Sequence, residues 1–220
     1  MGTKLQIFFL SLVISVSFFL NGCASESTYL VNLSFVKAAI VDYHESGQYQ
    51  KDAEKAISEA IKEFDEITPG EKSAVIFDVD ETALSNYSFN KDWDFGYIGK
   101  YFDIWIDSAK APPISEVLKL YNYLLARNFK IVFITARKVY QYNATYKNLL
   151  AAGYTIFDTL IVKDNKYHGV TSLVFKSDKR KELTENGYSI AATVGDQWSD
   201  LDGPFHGIQV KIPNYQYFIP

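Results

Sequence analysis

From Ser73 to the C-terminus, short apolar runs alternate with stretches in which apolar residues recur every three or four positions. Such runs are typical of strands buried on both faces of a parallel sheet, and the spacing between them is typical of amphipathic helices. The runs predict strands at Ala74–Phe77, Lys130–Thr135, Thr159–Val162, Ser189–Val194 and Ile208–Ile212. The intervening helices are predicted at Val117–Arg127, Tyr140–Ala152 and Lys179–Asn186. This order predicts an α/β fold with a doubly wound, Rossmann-like parallel sheet.

Two further helical stretches precede this alternation. Phe35–Tyr43 and Lys51–Phe64 carry apolar residues at helical spacing, and Pro69-Gly70 ends the second pattern. With 220 residues, 48% of them hydrophobic, the chain is long enough to bury one core. We therefore expect one folded domain over residues 33–220, with N-terminal helices beside the sheet.

The chain begins with a separate apolar segment. Residues Ile7–Leu20 are apolar except for serines, and they are fewer than the ~20 residues that a membrane-spanning helix needs. A segment of this kind is typical of an export signal. Leu20-Asn21-Gly22-Cys23 follows it and resembles the lipobox of bacterial lipoproteins, in which the cysteine is acylated.

We therefore expect residues 1–22 to be a signal peptide and Cys23 to be lipidated, with residues 23–32 as a tether. The protein would be exported and anchored in the lipid bilayer of a bacterial membrane, on its periplasmic or cell-surface side. The alternative for Cys23 is an incidental or buried thiol.

The charge distribution excludes one class of partner. The formal net charge is −4, and the 22 basic residues are spread along the chain. A nucleic-acid polymer is therefore not an expected ligand. No feature of the sequence indicates a required protein partner.

Two carboxylates stand where the first predicted strand ends. Asp78 and Asp80 are two residues apart, so both can face one site at the carboxyl edge of the sheet. Phosphoryl transfer requires in-line attack and neutralisation of charge on the transferred group. In this interpretation Asp78 is the nucleophile, and Asp80 protonates the leaving oxygen and then activates water.

Clustered carboxylates repel a phosphate unless positive charge compensates them. Mg²⁺ prefers oxygen ligands, commonly one or two carboxylates, and leaves room for substrate phosphate. The expected ligands are Asp78, the backbone carbonyl of Asp80, and Asp196, with Asp200 close by. Lys176 would supply a second cation. We further expect the neighbouring negative charges to raise the proton affinity of Asp80.

The order of these residues resembles the four motifs of the haloacid dehalogenase (HAD) superfamily. The motifs are Asp78-x-Asp80-x-Thr82, Thr135 within Phe133–Arg137, Lys176 within Val174–Ser177, and Gly195–Asp200. Within that superfamily, the sequences around the first and last motifs resemble those of the acid phosphatase branch. This branch contains bacterial class C lipoprotein phosphatases and plant vegetative storage proteins.

The resemblance implies roles for three further residues. Thr82 and Thr135 would bind the phosphate, and Lys176 would steady the nucleophile and the transferred group. Lys179, Arg180 and Lys181 lie near Lys176, so one of them is an alternative for the inward-facing cation. A hydroxyl at a strand end, such as that of Thr135, can also bond to the backbone alone. Asp200 can likewise serve only to favour a helix N-terminus.

The superfamily inserts a cap after its first motif, and this chain carries an aromatic-rich segment there. We call residues 86–113 the aromatic insert; its large rings are Phe89, Trp93, Phe95, Tyr97, Tyr101, Phe102 and Trp105. Most of these rings are expected to form the core of a small cap, with one or two left to contact substrate.

The sequence thus predicts a Mg²⁺-dependent acid phosphatase that hydrolyses small phosphate monoesters, with nucleotides suggested as substrates by the family resemblance. One alternative is a surface or storage protein that keeps the fold without turnover. Another is a phosphotransferase, in which an alcohol replaces water in the second step.

Overall fold

The computed structural model describes residues 30–219. The predicted signal peptide and the predicted lipidation at Cys23 lie outside these residues and stay predictions. From Asn32 onward the chain forms one compact unit. None of the helices within residues 30–219 combines the length and the apolar character needed to cross a bilayer.

The elements follow one another in the predicted alternating order. The helices are α1 (Leu33–Glu45), α2 (Gln48–Asp65), α3 (Tyr87–Asp92), α4 (Gly99–Ser108), α5 (Ser115–Ala126), α6 (Tyr142–Ala151), α7 (Ser172–Glu185) and α8 (Trp198–Leu201). The strands are β1 (Ser73–Phe77), β2 (Lys130–Lys138), β3 (Thr159–Lys163), β4 (Ser189–Gly195) and β5 (Ile208–Lys211).

The strands form one sheet in the order β3-β2-β1-β4-β5, with every neighbouring pair parallel. The doubly wound sheet predicted from the sequence is confirmed. The chain proceeds in one direction from β1 to β3 and in the other from β4 to β5. The order therefore reverses between β1 and β4, where ligands of such sheets bind beyond the carboxyl ends.

Alternate residues of the central strands pack into two separate cores. On one face, Val75 and Phe77 of β1 join the larger core with residues of α2 and α5. On the other face, Ile76 lies in a smaller core with Phe175 and Leu183 of α7. Both faces of β1 are therefore covered, which explains the uninterrupted apolar run in its sequence.

One predicted helix boundary is wrong. The helix predicted to begin at Lys179 begins at Ser172, where the side chain of Thr171 accepts a hydrogen bond from the backbone N–H of Val174. The first turns of α7 bury Phe175 and Lys176, and a buried lysine does not register in an apolar pattern. Lys176 therefore projects from the first turns of α7.

The aromatic insert folds into α3 and α4, and its rings pack mainly on one another. Phe89 is buried, with ring centroids 5.6 Å from Phe102 and 5.7 Å from Trp105. Trp93 stacks on Tyr101 at 4.3 Å. Of the seven rings Phe89 is buried, whereas Trp93, Tyr97 and Tyr101 are exposed. The rings therefore form an open cluster around Phe89 instead of the closed core predicted for most of them.

The insert is joined to α1 by an aromatic stack around a buried histidine. The ring of His44 lies 4.1 Å from that of Tyr87 in α3 and 4.5 Å from that of Tyr49 in α2. Burial, opposed by the charge of Glu45, lowers the pKa of His44 from 6.5 to about 4. His44 is therefore neutral in the folded protein at pH values where the unfolded chain binds a proton.

This difference makes stability depend on pH. As pH falls from about 6.5 to about 4, His44 binds a proton in the unfolded chain but stays neutral in the folded protein. The free energy of unfolding therefore decreases by up to ~3 kcal/mol. We expect His44→Phe to remove this part of the slope. Denaturant unfolding at several pH values, with chelator present, measures it against the exposed control His168→Phe. A slope in His44→Phe as steep as in wild type contradicts the assignment.

Candidate active site

Three carboxylates meet at the carboxyl edge of the sheet. Asp78 directly follows β1 and Asp196 directly follows β4, while Asp200 lies in α8 just beyond. Each offers a carboxylate oxygen, and these oxygens lie within 4.8 Å of one another in a buried position. The N–H of Asp78 donates to the carbonyl of Val194 at 2.9 Å, so the pairing of β1 with β4 fixes the nucleophile candidate in place.

Lys176 is the cation that reaches these carboxylates. Its buried ammonium group pairs with Asp78 and, at 2.6 Å, with Asp200. The three alternative cations are engaged elsewhere: Lys179 pairs with Glu182, Lys181 pairs with Glu185, and Arg180 donates to backbone carbonyls, that of Asp200 among them. Geometry therefore selects Lys176 from the basic residues of α7.

Negative charge exceeds positive charge in this cluster. Burial raises the pKa of Asp78 well above its ordinary value, although the charge of Lys176 opposes the shift. Burial and the charge of Asp200 raise the pKa of Asp196 from 3.8 to about 6. One lysine among three buried carboxylates leaves the charge uncompensated. A divalent cation that prefers oxygen ligands fits this donor set.

Asp80 has different partners from these three. The guanidinium of Arg137 donates to both of its carboxylate oxygens, at 2.7 Å from Nη2 to Oδ1 and 3.1 Å from Nε to Oδ2, and Asn86 donates to Oδ1 at 2.8 Å. Burial opposes ionisation, but the charge and hydrogen bonds of Arg137 together with Asn86 lower the pKa of Asp80. The expectation that neighbouring carboxylates raise its proton affinity is wrong, because Arg137 outweighs them.

The two predicted phosphate-binding threonines are buried behind the site. The hydroxyl of Thr82 donates to Asp196 at 3.1 Å, and the hydroxyl of Thr135 accepts a hydrogen bond from the backbone N–H of Arg137 at 3.2 Å. Neither threonine lies on the wall of the cavity described below. In this arrangement Thr82 orients Asp196, and phosphate contact by either threonine stays a prediction.

A cavity of about 380 Å³ opens over the carboxylates. Its floor carries Asp78, Asp80, Lys176, Asp196 and Asp200. Its remaining walls come from the aromatic insert, the end of β2, the start of α7, the turn after β4 and the C-terminal segment. Their apolar members include Phe95, Tyr97, Phe102, Ile106, Tyr217 and Ile219. The cavity thus combines a charged floor with walls that carry aromatic rings as well as polar side chains such as Arg137.

The C-terminal segment, residues 213–219, contributes contacts that sequence reasoning missed. Asn214 donates to Asp196 at 2.7 Å. Gln216 donates to Glu81 at 2.6 Å and accepts from Asn90 of α3 at 2.9 Å. The segment therefore links the metal-site candidates to the insert. Its polar residues carry no motif, so no signal in the sequence indicates these contacts.

Gly195 at the end of β4 allows Asp200 to approach. A Cβ atom at this position would lie 2.5 Å from Cβ and 2.7 Å from Oδ2 of Asp200. We expect Gly195→Ala to displace Asp200, lowering the free energy of unfolding by about 1–3 kcal/mol and weakening Mg²⁺ binding roughly tenfold. Calorimetric titration with Mg²⁺ and denaturant unfolding measure both effects. Gly70→Ala, whose nearest neighbour would be 3.7 Å away, is the control; unchanged Mg²⁺ affinity in Gly195→Ala contradicts the argument.

A known protein family matches almost the whole of this chain from residue 22 onward. The family model described as HAD superfamily, subfamily IIIB (acid phosphatase) matches residues 22–220. The chain belongs to this family. The resemblance inferred from the four motifs is thereby confirmed.

The relatives of this chain carry the names of both phosphatases and storage proteins. Acid phosphatase 1 of Solanum lycopersicum is 37% identical over 66% of this chain, and the chain spans 58% of that protein's length. Vegetative storage protein 2 of Arabidopsis thaliana is 31% identical over 89% of this chain and 77% of that protein. The class C acid phosphatase from Bacillus anthracis, solved with tungstate bound, has a TM-score of 0.70 at 23% identity, over 84% of this chain and 86% of that one. The last likeness shows the fold.

Proposed function

We propose that this chain is a Mg²⁺-dependent acid phosphatase that hydrolyses small phosphate monoesters through an aspartyl-phosphate on Asp78. The observation that carries the proposal is the convergence of Asp78, Lys176, Asp196 and Asp200 at the floor of one cavity. One oxygen of Asp78 is held by Lys176. Within residues 30–219 its other oxygen accepts no hydrogen bond, so it is available for attack.

In the first step, a carboxylate oxygen of Asp78 attacks phosphorus and the bond from phosphorus to the leaving oxygen breaks. Asp80 gives its proton to that oxygen, and the alcohol departs. In the second step, the carboxylate of Asp80 takes a proton from water as the water oxygen attacks phosphorus. The bond between phosphorus and the oxygen of Asp78 breaks, inorganic phosphate leaves, and the Asp78 carboxylate and protonated Asp80 are restored.

The remaining residues compensate the charge of the phosphoryl group and orient Asp78 and Asp80 during both steps. Asp78, Asp196 and the backbone carbonyl of Asp80 would hold Mg²⁺, with Asp200 beside them. When bound, the ion neutralises charge on the phosphoryl oxygens. Lys176 orients Asp78, and its charge would act together with that of the bound ion to favour the ionised carboxylate. Arg137 fixes the orientation of Asp80 by its paired hydrogen bonds. Because Arg137 also lowers the pKa of Asp80, the protonated form that donates to the leaving oxygen is favoured at acidic pH, and activity should increase there.

The walls of the cavity support monoesters with an apolar or aromatic leaving group. Phe95, Tyr97 and Phe102 of the insert line the same cavity as the carboxylates, together with Tyr217. A flat ring can lie against such side chains while the phosphate reaches Asp78. Aryl phosphates and nucleotides meet this description.

Turnover of an aryl phosphate tests the proposal. The protein is assayed with 4-nitrophenyl phosphate across pH ~5 to ~8, with added Mg²⁺, with chelator, and with Mg²⁺ restored. We expect hydrolysis that chelator removes and Mg²⁺ restores, and that increases toward acidic pH. Absence of metal-dependent turnover would instead favour a storage or surface role, as in the Arabidopsis relatives' names. An added alcohol that captures most of the phosphoryl group would indicate a phosphotransferase.

Export and lipid anchoring are proposed separately from the chemistry. They rest on the apolar segment Ile7–Leu20 and on the position of Cys23 behind it. Expression in a bacterial host fed with an alkyne fatty acid should label the wild-type protein and leave Cys23→Ser unlabelled. Label retained in Cys23→Ser would contradict acylation at this residue.

A further inference from the structure

Two hydrogen bonds in series lead from the aromatic insert to the carboxylate of Asp80. The indole N–H of Trp105 in α4 donates to Oδ1 of Asn86 at 2.7 Å, and Nδ2 of Asn86 donates to Oδ1 of Asp80 at 2.8 Å. We propose that Asn86 and Trp105 are positioning residues that set the orientation of Asp80 for protonating the leaving group. This inference rests on the proposed function.

Asn86 is fixed at both ends. Its backbone N–H donates to Oε1 of Glu81 at 2.6 Å, and its side chain is 1% exposed. Both polar atoms of its side-chain amide are engaged, Oδ1 by Trp105 and Nδ2 by Asp80. Because the amide donates only from nitrogen, the N–H of Trp105 holds it in the one orientation that presents a donor to Asp80.

Trp105 is in turn held by the insert. Its ring stacks on that of Phe89 at 5.7 Å, and it also packs against the main core of the domain. A second contact fixes α4 over the cavity, since Asp103 accepts a hydrogen bond from Gln141 at 2.8 Å. The position of α4 therefore contributes to the orientation of Asp80 through Trp105 and Asn86.

Arg137 and Asn86 determine this orientation together. Nε of Arg137 contacts both carboxylate oxygens of Asp80, whereas Nη2 of Arg137 and Nδ2 of Asn86 both donate to Oδ1 alone. The two residues thus jointly distinguish Oδ1 from Oδ2. Oδ2 has a single hydrogen-bond donor, Nε of Arg137, within residues 30–219, and is the oxygen left to carry the proton toward the leaving group.

If Asp80 is misoriented, the loss of activity should depend on the basicity of the leaving group. Protonation of the leaving oxygen matters most for an alkoxide, which is a poor leaving group, and least for a nitrophenolate, which is a good one. A residue that supports only folding or substrate binding would affect both substrates equally. Benzyl phosphate and 4-nitrophenyl phosphate have similar ring sizes, so their comparison isolates leaving-group basicity.

The test compares Trp105→Phe, which removes the indole N–H and keeps an aromatic ring, with wild type. For kcat/KM, which reports on the steps through phosphoryl transfer, we expect a roughly tenfold loss with benzyl phosphate and less than about twofold with 4-nitrophenyl phosphate. Tungstate affinity, measured by calorimetry, should change by less than about twofold, because no group that touches the anion is altered. Trp93→Phe, in the same insert but without an indole hydrogen bond in the described chain, should behave as wild type.

The variant Asn86→Ala tests the same inference independently. It should show the same dependence on leaving group with a larger loss, and adding Trp105→Phe to it should cause little further loss, because both residues act through one path. Equal losses with the two substrates, or additive losses in the double variant, would overturn the inference while leaving the proposed function intact. Absence of metal-dependent turnover in wild type would overturn both.

Discussion

Asp78→Asn should lower kcat by roughly four orders of magnitude or more with every phosphate monoester. The amide has nearly the volume of the carboxylate, but it is a poor nucleophile and forms no aspartyl-phosphate. Buried Asp78 is ion-paired with Lys176, so the change also removes one negative charge from a cluster that has an excess of them. The folded state should therefore persist, and unfolding experiments should show stability equal to or above that of wild type.

The matched control for this variant is Asp42→Asn, an exposed position on α1 remote from the cavity. It should retain wild-type kcat. Residual activity of Asp78→Asn above about one hundredth of wild type would contradict the assignment of the nucleophile. Mass spectrometry of the purified variant must exclude deamidation back to aspartate, which would mimic such activity.

Lys176→Met should damage both catalysis and folding. The variant leaves Asp78 and Asp200 buried without their cation, which costs about 3 kcal/mol of unfolding free energy. We also expect kcat to fall by roughly two to three orders of magnitude, because the nucleophile loses its orienting charge. Added Mg²⁺ should restore part of the stability, since the ion would compensate the same carboxylates.

Lys179→Met is the control, because Lys179 lies one turn further along α7 and is also buried, yet pairs with Glu182. It should keep both kcat and the Mg²⁺ dependence of stability. Denaturant unfolding with and without Mg²⁺, together with steady-state kinetics, measures the difference. Equal behaviour of the two lysine variants would show that Lys176 has no special role.

The sheet and its carboxylates could be predicted because two simple periodicities determine them. Val75, Ile76 and Phe77 are apolar on both faces of β1, which requires helices on both sides. Parallel strands then bring their carboxyl ends to one edge, so Asp78 and Asp196 must approach each other although they lie far apart in the chain. Sequence order alone is enough for that step.

The partners of Asp80 could not be predicted in this way. Arg137 is a buried charge near the end of β2, after the apolar run, and Asn86 follows an irregular loop whose course no periodicity describes. The side chain of Asn214 reaches Asp196 from an extended C-terminal segment. These contacts depend on loop conformation and side-chain reach, and they reverse the sign of the pKa shift that neighbouring carboxylates alone would give Asp80.

The position of Lys176 shows a related limit. Its residue type and order were recognisable as a motif, but its buried charge interrupts the apolar pattern of α7 and displaced the predicted start of that helix. The charge is tolerated because Asp78 and Asp200 accept it. A buried, ion-paired charge therefore obscures the local structure that holds it.

The most direct test of the account is to identify the residue that carries the phosphoryl group. Enzyme in excess over substrate is quenched in acid during a single turnover with Mg²⁺ present, then digested and analysed by mass spectrometry. The account predicts one added phosphoryl group on the peptide that contains Asp78, lost in Asp78→Asn and in the presence of chelator. Turnover that proceeds with the phosphoryl group on any other residue, such as a histidine, would contradict it.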